Sequence, residues 1–348
     1  MQQKLIKKLS ALFILSALLL AATNISLIAK DDGTKKEKRS YVLATASPGG
    51  TYYPVGVAIA TLVTDKLGEG EGISMSAITS AGSGENVQLL KTHETDFAIL
   101  QGLFGSMAWQ GKGKYEGKPE KEMRAVTMLW ENVEHFVLYT DFVKTGNIMD
   151  LKNAEGEHFS IGKRGSGTET SGKTILSALG FNVDDEFKLE HMGYSASATA
   201  LQDKRVIGMN IPAGPPVSAI TQAFATIGTD KITVLEFTDE QLEQIDSKFP
   251  VWSRFVIAKD TYPGQKKDIN TIAQPNFLAV RPDLSDEDVY KILDTIYGNL
   301  DFLHNMHKAT NAIQLERALN GLPVPLHPGA VKFYKDKGIE VPESLIVK

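Results

Sequence analysis

Four short runs of small residues constrain the fold of this chain more than any other feature of its sequence. They lie at 47–54, 80–86, 165–170 and 212–216, and each stands between a strand-like apolar run and a helical one. Strand-like runs alternate with apolar residues at helical spacing along most of the chain. This alternation predicts βαβ units and largely parallel sheets, and therefore an α/β fold. Helical spacing also predicts helices over 54–67, 285–302 and 310–319.

The order of the elements predicts two lobes. With 348 residues, the chain is long enough for two α/β lobes that each bury a core. We expect the chain to leave the first lobe near residue 135 and to return to it near residue 275. Lobe I then comprises 41–135 plus 275–348, and lobe II comprises 136–274. Two such crossings form a hinge, and the expected fold is two-lobed with a hinged interlobe cleft.

The N-terminus predicts export to the periplasm. Lys4, Lys7 and Lys8 precede an apolar run at 9–22, which is shorter than the roughly 20 residues of a membrane span. We therefore expect a cleaved signal peptide at 1–29, with an uncleaved anchor as the alternative, and a charged leader at 30–40. The chain has no cysteine for lipid attachment or disulfides. Its net charge of −5 and the lack of a basic face argue against a nucleic-acid partner.

The four small-residue turns also suggest a ligand. Each turn leaves backbone N–H groups without partners at a helix N-terminus, where the partial positive charge favours an anion. Glycine lets a ligand approach the backbone closely, and Ser or Thr hydroxyls add donors. In open α/β sheets these turns lie where ligands bind. The plainer interpretation is that glycine and serine are simply common in strand-to-helix turns.

Several stretches resemble one family in order along the chain. They are GGTYYP at 49–54, GSGEN at 82–86, DFAILQ at 96–101, GSGTE at 165–169, AGPP at 213–216, TYPGQ at 261–265 and GLPVPLHPGA at 321–330. The chain is similar to the TAXI family, the solute-binding subunits of tripartite ATP-independent periplasmic (TRAP) transporters. The resemblance implies a type II periplasmic-binding-protein fold without a cofactor. It also implies ion-gradient-driven membrane subunits as partners. The implied ligands are acidic amino acids such as glutamate, or dicarboxylates such as 2-oxoglutarate.

The resemblance also implies which residues bind the ligand. Ser and Thr hydroxyls, with nearby N–H groups, would bind carboxylate oxygens. Tyr53 would contribute a ring and a hydroxyl, and Asn86 and Gln101 would form hydrogen bonds with a polar group of the ligand. The full set of candidates is Gly50, Thr51, Tyr53, Ser83, Asn86, Gln101, Gly165, Ser166, Thr168 and Gly214. Family members often have a proline in the segment that reads Trp130-Glu131-Asn132 in this chain. Glu131 either contacts an ammonium group or is an ordinary solvated glutamate.

Other chemistry is less favoured by the sequence. The run GTETSGKT at 167–174 matches a phosphate-binding P-loop, but several βα units precede it and ATP is absent from the expected compartment. His304 and His307 lie one helical turn apart without a third metal ligand in sequence. We therefore expect no catalytic residue and no metal site. We also expect the protein to be a monomer. Two alternatives to a transport role remain: a periplasmic sensor module and, less favoured, an exported enzyme on the same scaffold.

Overall fold

A computed structural model describes residues 37–347 of the chain. The predicted signal peptide, and residues 30–36 of the predicted leader, lie outside the described residues. Within 37–347, no helix is both long enough and apolar enough to cross a membrane.

The described residues form eleven strands and eleven α-helices. The strands are β1 (Arg39–Ala44), β2 (Ile73–Ile78), β3 (Phe97–Gln101), β4 (Arg124–Val133), β5 (Phe136–Tyr139), β6 (His158–Ser160), β7 (Lys188–Glu190), β8 (Gly208–Asn210), β9 (Ile232–Val234), β10 (Ser253–Ile257) and β11 (Ile269–Val280). The helices are α1 (Tyr52–Glu71), α2 (Ser83–Lys91), α3 (Gly102–Gln110), α4 (Gly167–Ala178), α5 (Val183–Glu186), α6 (Tyr194–Gln202), α7 (Ser218–Ile227), α8 (Asp239–Asp246), α9 (Asp286–Tyr297), α10 (Leu300–Met306) and α11 (Pro328–Asp336).

The first sheet has the order β2–β1–β3–β11, and both β4 and β10 also pair with β11. Strand β1 runs parallel to β2 and β3. Helix α1 connects β1 to β2, and helix α2 connects β2 to β3. Strand β11 runs antiparallel to β3, β4 and β10. The parallel part is what alternating strands and helices predict, because a parallel neighbour requires a crossover connection.

The second sheet has the order β7–β6–β8–β5–β9. Strand β6 is parallel to β7 and β8, and β5 is antiparallel to β8 and β9. Successive side chains of a strand point to opposite faces. Accordingly Phe136 and Leu138 enter one hydrophobic core, whereas Val137 enters another on the opposite face. The sheet is therefore buried on both sides.

The chain passes directly from the first sheet to the second between β4 and β5, and it returns to the first sheet at β10. Two sheets, each with helices packed on it, confirm the predicted two-lobed α/β fold. Strand β10 belongs to the first sheet although it lies within 136–274. The lobe limits given by the sequence stay a prediction.

Three predicted helices have different bounds in the structure. The helix predicted at 54–67 begins at Tyr52 and runs to Glu71, where Gly72 adopts a left-handed conformation. The helix predicted at 285–302 is two helices, α9 and α10. The helix predicted at 310–319 is wrong: short 3-10 turns occupy Lys308–Ala312 and Leu315–Arg317.

Candidate functional site

A small cavity of about 30 Å³ lies between the two lobes. That volume is room for about two water molecules, given that one needs about 10–15 Å³. The first lobe contributes residues from the turns before α1 and α2 and from the end of β3, and the second lobe contributes the starts of α4 and α6. The lining includes Ser47, Gly50, Thr51, Tyr52, Gly82, Ser83, Gln101, Gly167, Thr168, Tyr194, Pro212 and Ala213.

Four helices contribute first-turn residues to this cavity: α1, α2, α4 and α6. The first N–H groups of a helix have no carbonyl partner within it, and the helix dipole gives that end a partial positive charge. At α2 the N-cap is Gly82, with φ of 115°, a conformation that favours glycine, and no side chain caps the helix. Its first N–H groups therefore remain available beside the cavity.

The start of α4 is fixed by its own side chains. The Ser166 Oγ accepts a hydrogen bond from the Glu169 N–H at 3.0 Å. The Glu169 carboxylate in turn accepts from the Gly165 N–H at 2.7 Å. Ser166 and Glu169 have the spacing of a capping box, although the glutamate reaches one residue further back than the motif requires. These contacts leave the N–H groups of Gly167 and Thr168, which both line the cavity, free of the cap.

The Ser83 hydroxyl is held in place by the first sheet. Its Oγ accepts a hydrogen bond from the Gln101 backbone N–H at 3.1 Å. The hydroxyl hydrogen therefore remains to be donated, towards Tyr52 or into the cavity. The Gln101 side chain is 3% exposed, and its Oε1 has no hydrogen-bond partner among the described residues. Ser83 and Gln101 are thus two polar groups of the first lobe at the cavity wall.

The second lobe presents a hydroxyl pair. The Tyr194 hydroxyl donates to the Pro212 carbonyl oxygen at 2.7 Å. Because it has a single hydrogen, its contact with the Thr168 Oγ1 at 2.8 Å must be one in which Thr168 donates. The Thr168 hydroxyl hydrogen is therefore engaged by Tyr194, and it is available to a ligand only when that bond is broken.

Tyr52 completes the wall from the first lobe. Its hydroxyl donates to the Asn276 Oδ1 at 2.5 Å, and its ring packs edge-on against Trp130 with centroids 5.9 Å apart. Burial raises the pKa of both Tyr52 and Tyr194. The two phenols therefore stay neutral at physiological pH and act only as hydrogen-bonding groups.

The cavity has no charged side chain in its lining, as far as the described residues show. An anion there would be held by helix N-termini, hydroxyls and amides alone. Such donors are strong for a charged acceptor when they are fixed in advance and removed from water.

The structure brings five of the ten predicted site residues together at the cavity: Gly50, Thr51, Ser83, Gln101 and Thr168. The other five, Tyr53, Asn86, Gly165, Ser166 and Gly214, lie outside its lining. Which of these side chains touch a ligand stays a prediction.

The residues outside the lining have other contacts. The Asn86 amide is fully engaged: Oδ1 accepts from Ser80, and Nδ2 donates to the Thr45 and Ile99 carbonyls. Ser166 caps α4, as described above. The Gly214 carbonyl accepts from the Thr51 Oγ1 at 2.7 Å across the cleft. Tyr53 is half-buried and follows the tyrosine that does line the cavity.

Several lining residues were not among the ten predicted, and the two aromatic ones are Tyr52 and Tyr194. Tyr52 is adjacent to the predicted Tyr53, and only the start of α1 decides which of the two rings turns inward. Tyr194 opens α6 just after Gly193, its N-cap. The run GYSAS at 193–197 is a small-residue turn between β7 and α6 of the same kind as the four that were noted.

Glu131 and the P-loop-like Lys173 lie away from the cavity. Glu131 forms an ion pair with Arg317 and lines a separate groove of about 630 Å³. Lys173 pairs with Asp184 at 2.7 Å on the surface of α4. Among the described residues, no group of three or more His, Cys, Asp or Glu side chains could hold a metal ion.

Solved structures of other proteins have a similar fold. MatC from Rhodopseudomonas palustris, solved with bound malate, has a TM-score of 0.53 at 13% identity, covering 86% of this chain and 97% of that chain. PhnD1 from Prochlorococcus marinus, in complex with methylphosphonate, has a TM-score of 0.51 at 11% identity, covering 78% and 90%. The periplasmic binding protein BugD has a TM-score of 0.50 at 14% identity, covering 87% and 99%. At these identities the likeness establishes the fold, which is that of periplasmic binding proteins.

A family match supports the same conclusion from the sequence. Residues 43–338 match the NMT1-like family. The match covers both lobes, from β1 to just beyond α11. The finer assignment to the TAXI group stays a prediction. The chain belongs to the NMT1-like family.

Proposed function

We propose that this protein is an exported solute-binding protein that captures a small organic anion by closing its two lobes. It delivers the bound anion to the membrane subunits of a TRAP transporter, which an ion gradient drives. The protein performs no chemistry on the ligand.

The observation that carries this proposal is that four helix N-termini, from both lobes, lie at one cavity. None of the described residues that line this cavity is charged. Helix N-termini are ready-made anion sites because their N–H groups and dipoles point at the ligand. The Ser83 hydroxyl adds a donor from the first lobe, and the N–H groups of Gly167 and Thr168 are donors from the second. A complete site therefore needs both lobes.

Contacts across the cleft support capture by closure. The Ala219 N–H donates to the Gly49 carbonyl at 3.1 Å, and the Thr51 hydroxyl bonds to Gly214 as described. The cavity is far smaller than an organic acid, so a ligand enters only when the lobes part. A ligand that binds the closed form more tightly shifts the equilibrium towards closure by that preference.

The ligand class we propose is an acidic amino acid such as glutamate, or a dicarboxylate such as 2-oxoglutarate. The absence of a lining cation in the described cavity favours a carboxylate held by neutral donors. Two proteins of similar fold were solved with malate and with methylphosphonate, and both of these are anions. The periplasm is the compartment that this role requires, in agreement with the signal-peptide-like residues 1–29.

A thermal-shift screen tests the proposal. The purified chain is heated with a panel of amino acids and dicarboxylates, with the corresponding uncharged amides as controls. A ligand at 100 times its Kd adds about 2.7 kcal/mol to the stability of the folded form. We expect at least one acid to raise the Tm while its amide does not. A panel in which no acid raises the Tm would count against anion capture.

A further inference from the structure

A second group of polar side chains lies behind the cavity, where the two lobes join. We define it as the junction cluster: Asn132, Glu134, Asn210, Gln274 and Asn276. Each is at most 1% exposed. Each also has at least one side-chain polar atom without a hydrogen-bond partner among the described residues. For Asn132, Glu134 and Asn210 this holds for both polar atoms of the side chain.

The cluster is built from the segments that connect the lobes. Asn132 pairs in register with Gln274 between β4 and β11, so their side chains share one face. Glu134 follows two residues after Asn132 and points the same way, because side chains alternate along an extended chain. Its backbone N–H donates to the Ile272 carbonyl at 3.0 Å. Ser171 and Asn210 of the second lobe adjoin its carboxyl group.

The cluster adjoins the cavity along three of its walls. Asn276 is the register partner of Gln101 and accepts the Tyr52 hydroxyl. Val133, between Asn132 and Glu134, exchanges both backbone hydrogen bonds with the cavity residue Ala213.

The third wall is α4. Ser171, beside Glu134, lies three residues after the cavity residue Thr168 and donates to its carbonyl at 3.3 Å. One helical turn rises about 5 Å, so Ser171 lies about one turn along α4 from the cavity residue Thr168.

Buried polar groups without partners are costly, and a buried unpaired carboxyl is the costliest of those in this cluster. A ligand that pairs with these groups would remove this cost. The Glu134 carboxyl lies beside the Ser171 hydroxyl and the Asn210 amide. Its two oxygens, which have no hydrogen-bond partner within the usual distance limits among the described residues, suit a ligand group that donates hydrogen bonds.

We propose that the junction cluster, with Glu134 at its centre, is the subsite that binds the ammonium group of an amino-acid ligand. The inference rests on the proposed function, since the ligand's carboxylate would occupy the helix N-termini at the cavity. Glu134 is then the residue that distinguishes an amino acid from the acid that lacks the amine. Glu131, the ammonium partner considered from the sequence, lies on the opposite face of β4 and is paired with Arg317.

The charge state of Glu134 agrees with this role. Burial raises its pKa to about 8, and the neighbouring Ser171 and Asn210 act in the opposite direction. The titratable side chain nearest in effect is Tyr194, whose pKa is raised further by the charge of Glu134. The neighbouring His135 ring instead forms a hydrogen bond with the Tyr262 hydroxyl. An ammonium group within about 4–6 Å lowers a carboxyl pKa, so its arrival would ionise Glu134 and form an ion pair.

Calorimetry with matched ligands tests the proposal. The full chain is titrated with glutamate and glutarate and with aspartate and succinate, pairs that differ only in the amine. We expect the wild type to bind the amino acid of at least one pair tenfold or more tightly than its partner. Glu134→Gln should raise the Kd of that amino acid at least tenfold and change the Kd of the amine-free acid less than threefold. Glu131→Gln is the matched control and should change neither.

The outcomes separate the two proposals. If neither amino acid binds more tightly than the acid that lacks its amine, or if Glu134→Gln keeps the preference, the proposed subsite is wrong and anion capture stands. If neither member of either pair binds the wild type, anion capture itself is wrong and the subsite falls with it. Binding of the amine-free acid reports that a variant is folded. Should Glu134→Gln fail to fold, Asn210→Ser replaces it and should reduce the same preference.

Discussion

The hydroxyl of Ser83 illustrates how a single residue is prepared for an anion. Its oxygen accepts a hydrogen bond from the Gln101 N–H, which fixes the position of the hydroxyl and leaves its hydrogen to be donated. A donor fixed in this way does not have to be reoriented when a carboxylate arrives. It therefore contributes to affinity more than an exposed serine, which must give up hydrogen bonds to water.

Replacing Ser83 should weaken ligand binding strongly. A hydrogen bond to a charged group contributes about 1.5–3 kcal/mol, so Ser83→Ala should raise the Kd of the acid found in the thermal screen by about 10- to 150-fold. Isothermal titration calorimetry measures the change. Ser106→Ala, a serine on α3 that bonds to Gln110 at the surface, is the control. Equal affinity for Ser83→Ala and the wild type would remove Ser83 from the site.

Glu134 should make the stability of the protein depend on pH. Its pKa rises from an ordinary value of 4.5 to about 8 in the folded chain. Between these pH values the unfolded chain loses a proton that the folded chain keeps. The stability contributed by the neutral carboxyl is therefore full below about pH 4.5 and is lost as the pH rises to about 8.

The comparison of variants isolates this effect. Glutamine does not titrate, so the Tm of Glu134→Gln should rise relative to the wild type as the pH increases from 5 to 8. Thermal unfolding at several pH values measures the difference, and Glu131→Gln serves as the reference substitution. Parallel curves for Glu134→Gln and the wild type would show that Glu134 is not buried as a neutral acid.

At the scale of elements, the N-termini of helices α2 and α4 are prepared differently. Helix α4 is capped by the side chains of Ser166 and Glu169, whereas α2 has only the glycine N-cap Gly82. The cap at α4 fixes where the helix begins and which N–H groups remain available. Ser166 thus supports the site through the geometry of the helix.

Removing the cap should reduce stability. Ser166→Ala should lower the free energy of unfolding by about 1 kcal/mol, because the Glu169 N–H loses its acceptor. Ser166→Gly, which changes stability by only a few tenths of a kcal/mol at N-caps, is the matched control. Urea denaturation measures both. A stability of Ser166→Ala equal to that of Ser166→Gly would contradict the capping role.

At the scale of the whole molecule, closure depends on a close approach of two backbones. Gly84, in the first turn of α2, lies against Gly165 of the second lobe. A Cβ placed on Gly84 would stand 1.9 Å from the Gly165 carbonyl oxygen. Because that atom belongs to the backbone, the lobes would have to separate to make room.

Gly84→Ala should therefore impair ligand binding without harming the fold. Alanine is a better helix former than glycine, so α2 itself should not be weakened. We expect the Kd of the acid to rise at least tenfold, and small-angle scattering with ligand to show a larger radius of gyration than the wild type. Gly68→Ala, where the added Cβ meets nothing nearer than 3.8 Å, is the control. A wild-type Kd for Gly84→Ala would show that this contact is not needed for capture.

Local signals in the sequence are sufficient to predict the fold class and the helix N-termini that line the cavity. The alternation of strands and helices predicts parallel sheets, and the small-residue turns mark the helix N-termini that the structure brings to one cavity. These are local signals, because helical spacing, N-cap residues and glycine turns act within a few residues. Five of the predicted residues, Ser83 and Thr168 among them, line that cavity for this reason.

The tertiary structure decided which side chains face the cavity and which groups meet across the lobes. Whether Tyr52 or Tyr53 turns inward depends on where α1 begins. The role of Asn86 depends on carbonyls contributed by β1 and β3. Asn132, Glu134, Asn210 and Gln274 come together only because strands from both lobes meet at the junction. Such long-range pairing has no local signal, since residues far apart in the chain become neighbours only when the sheets form.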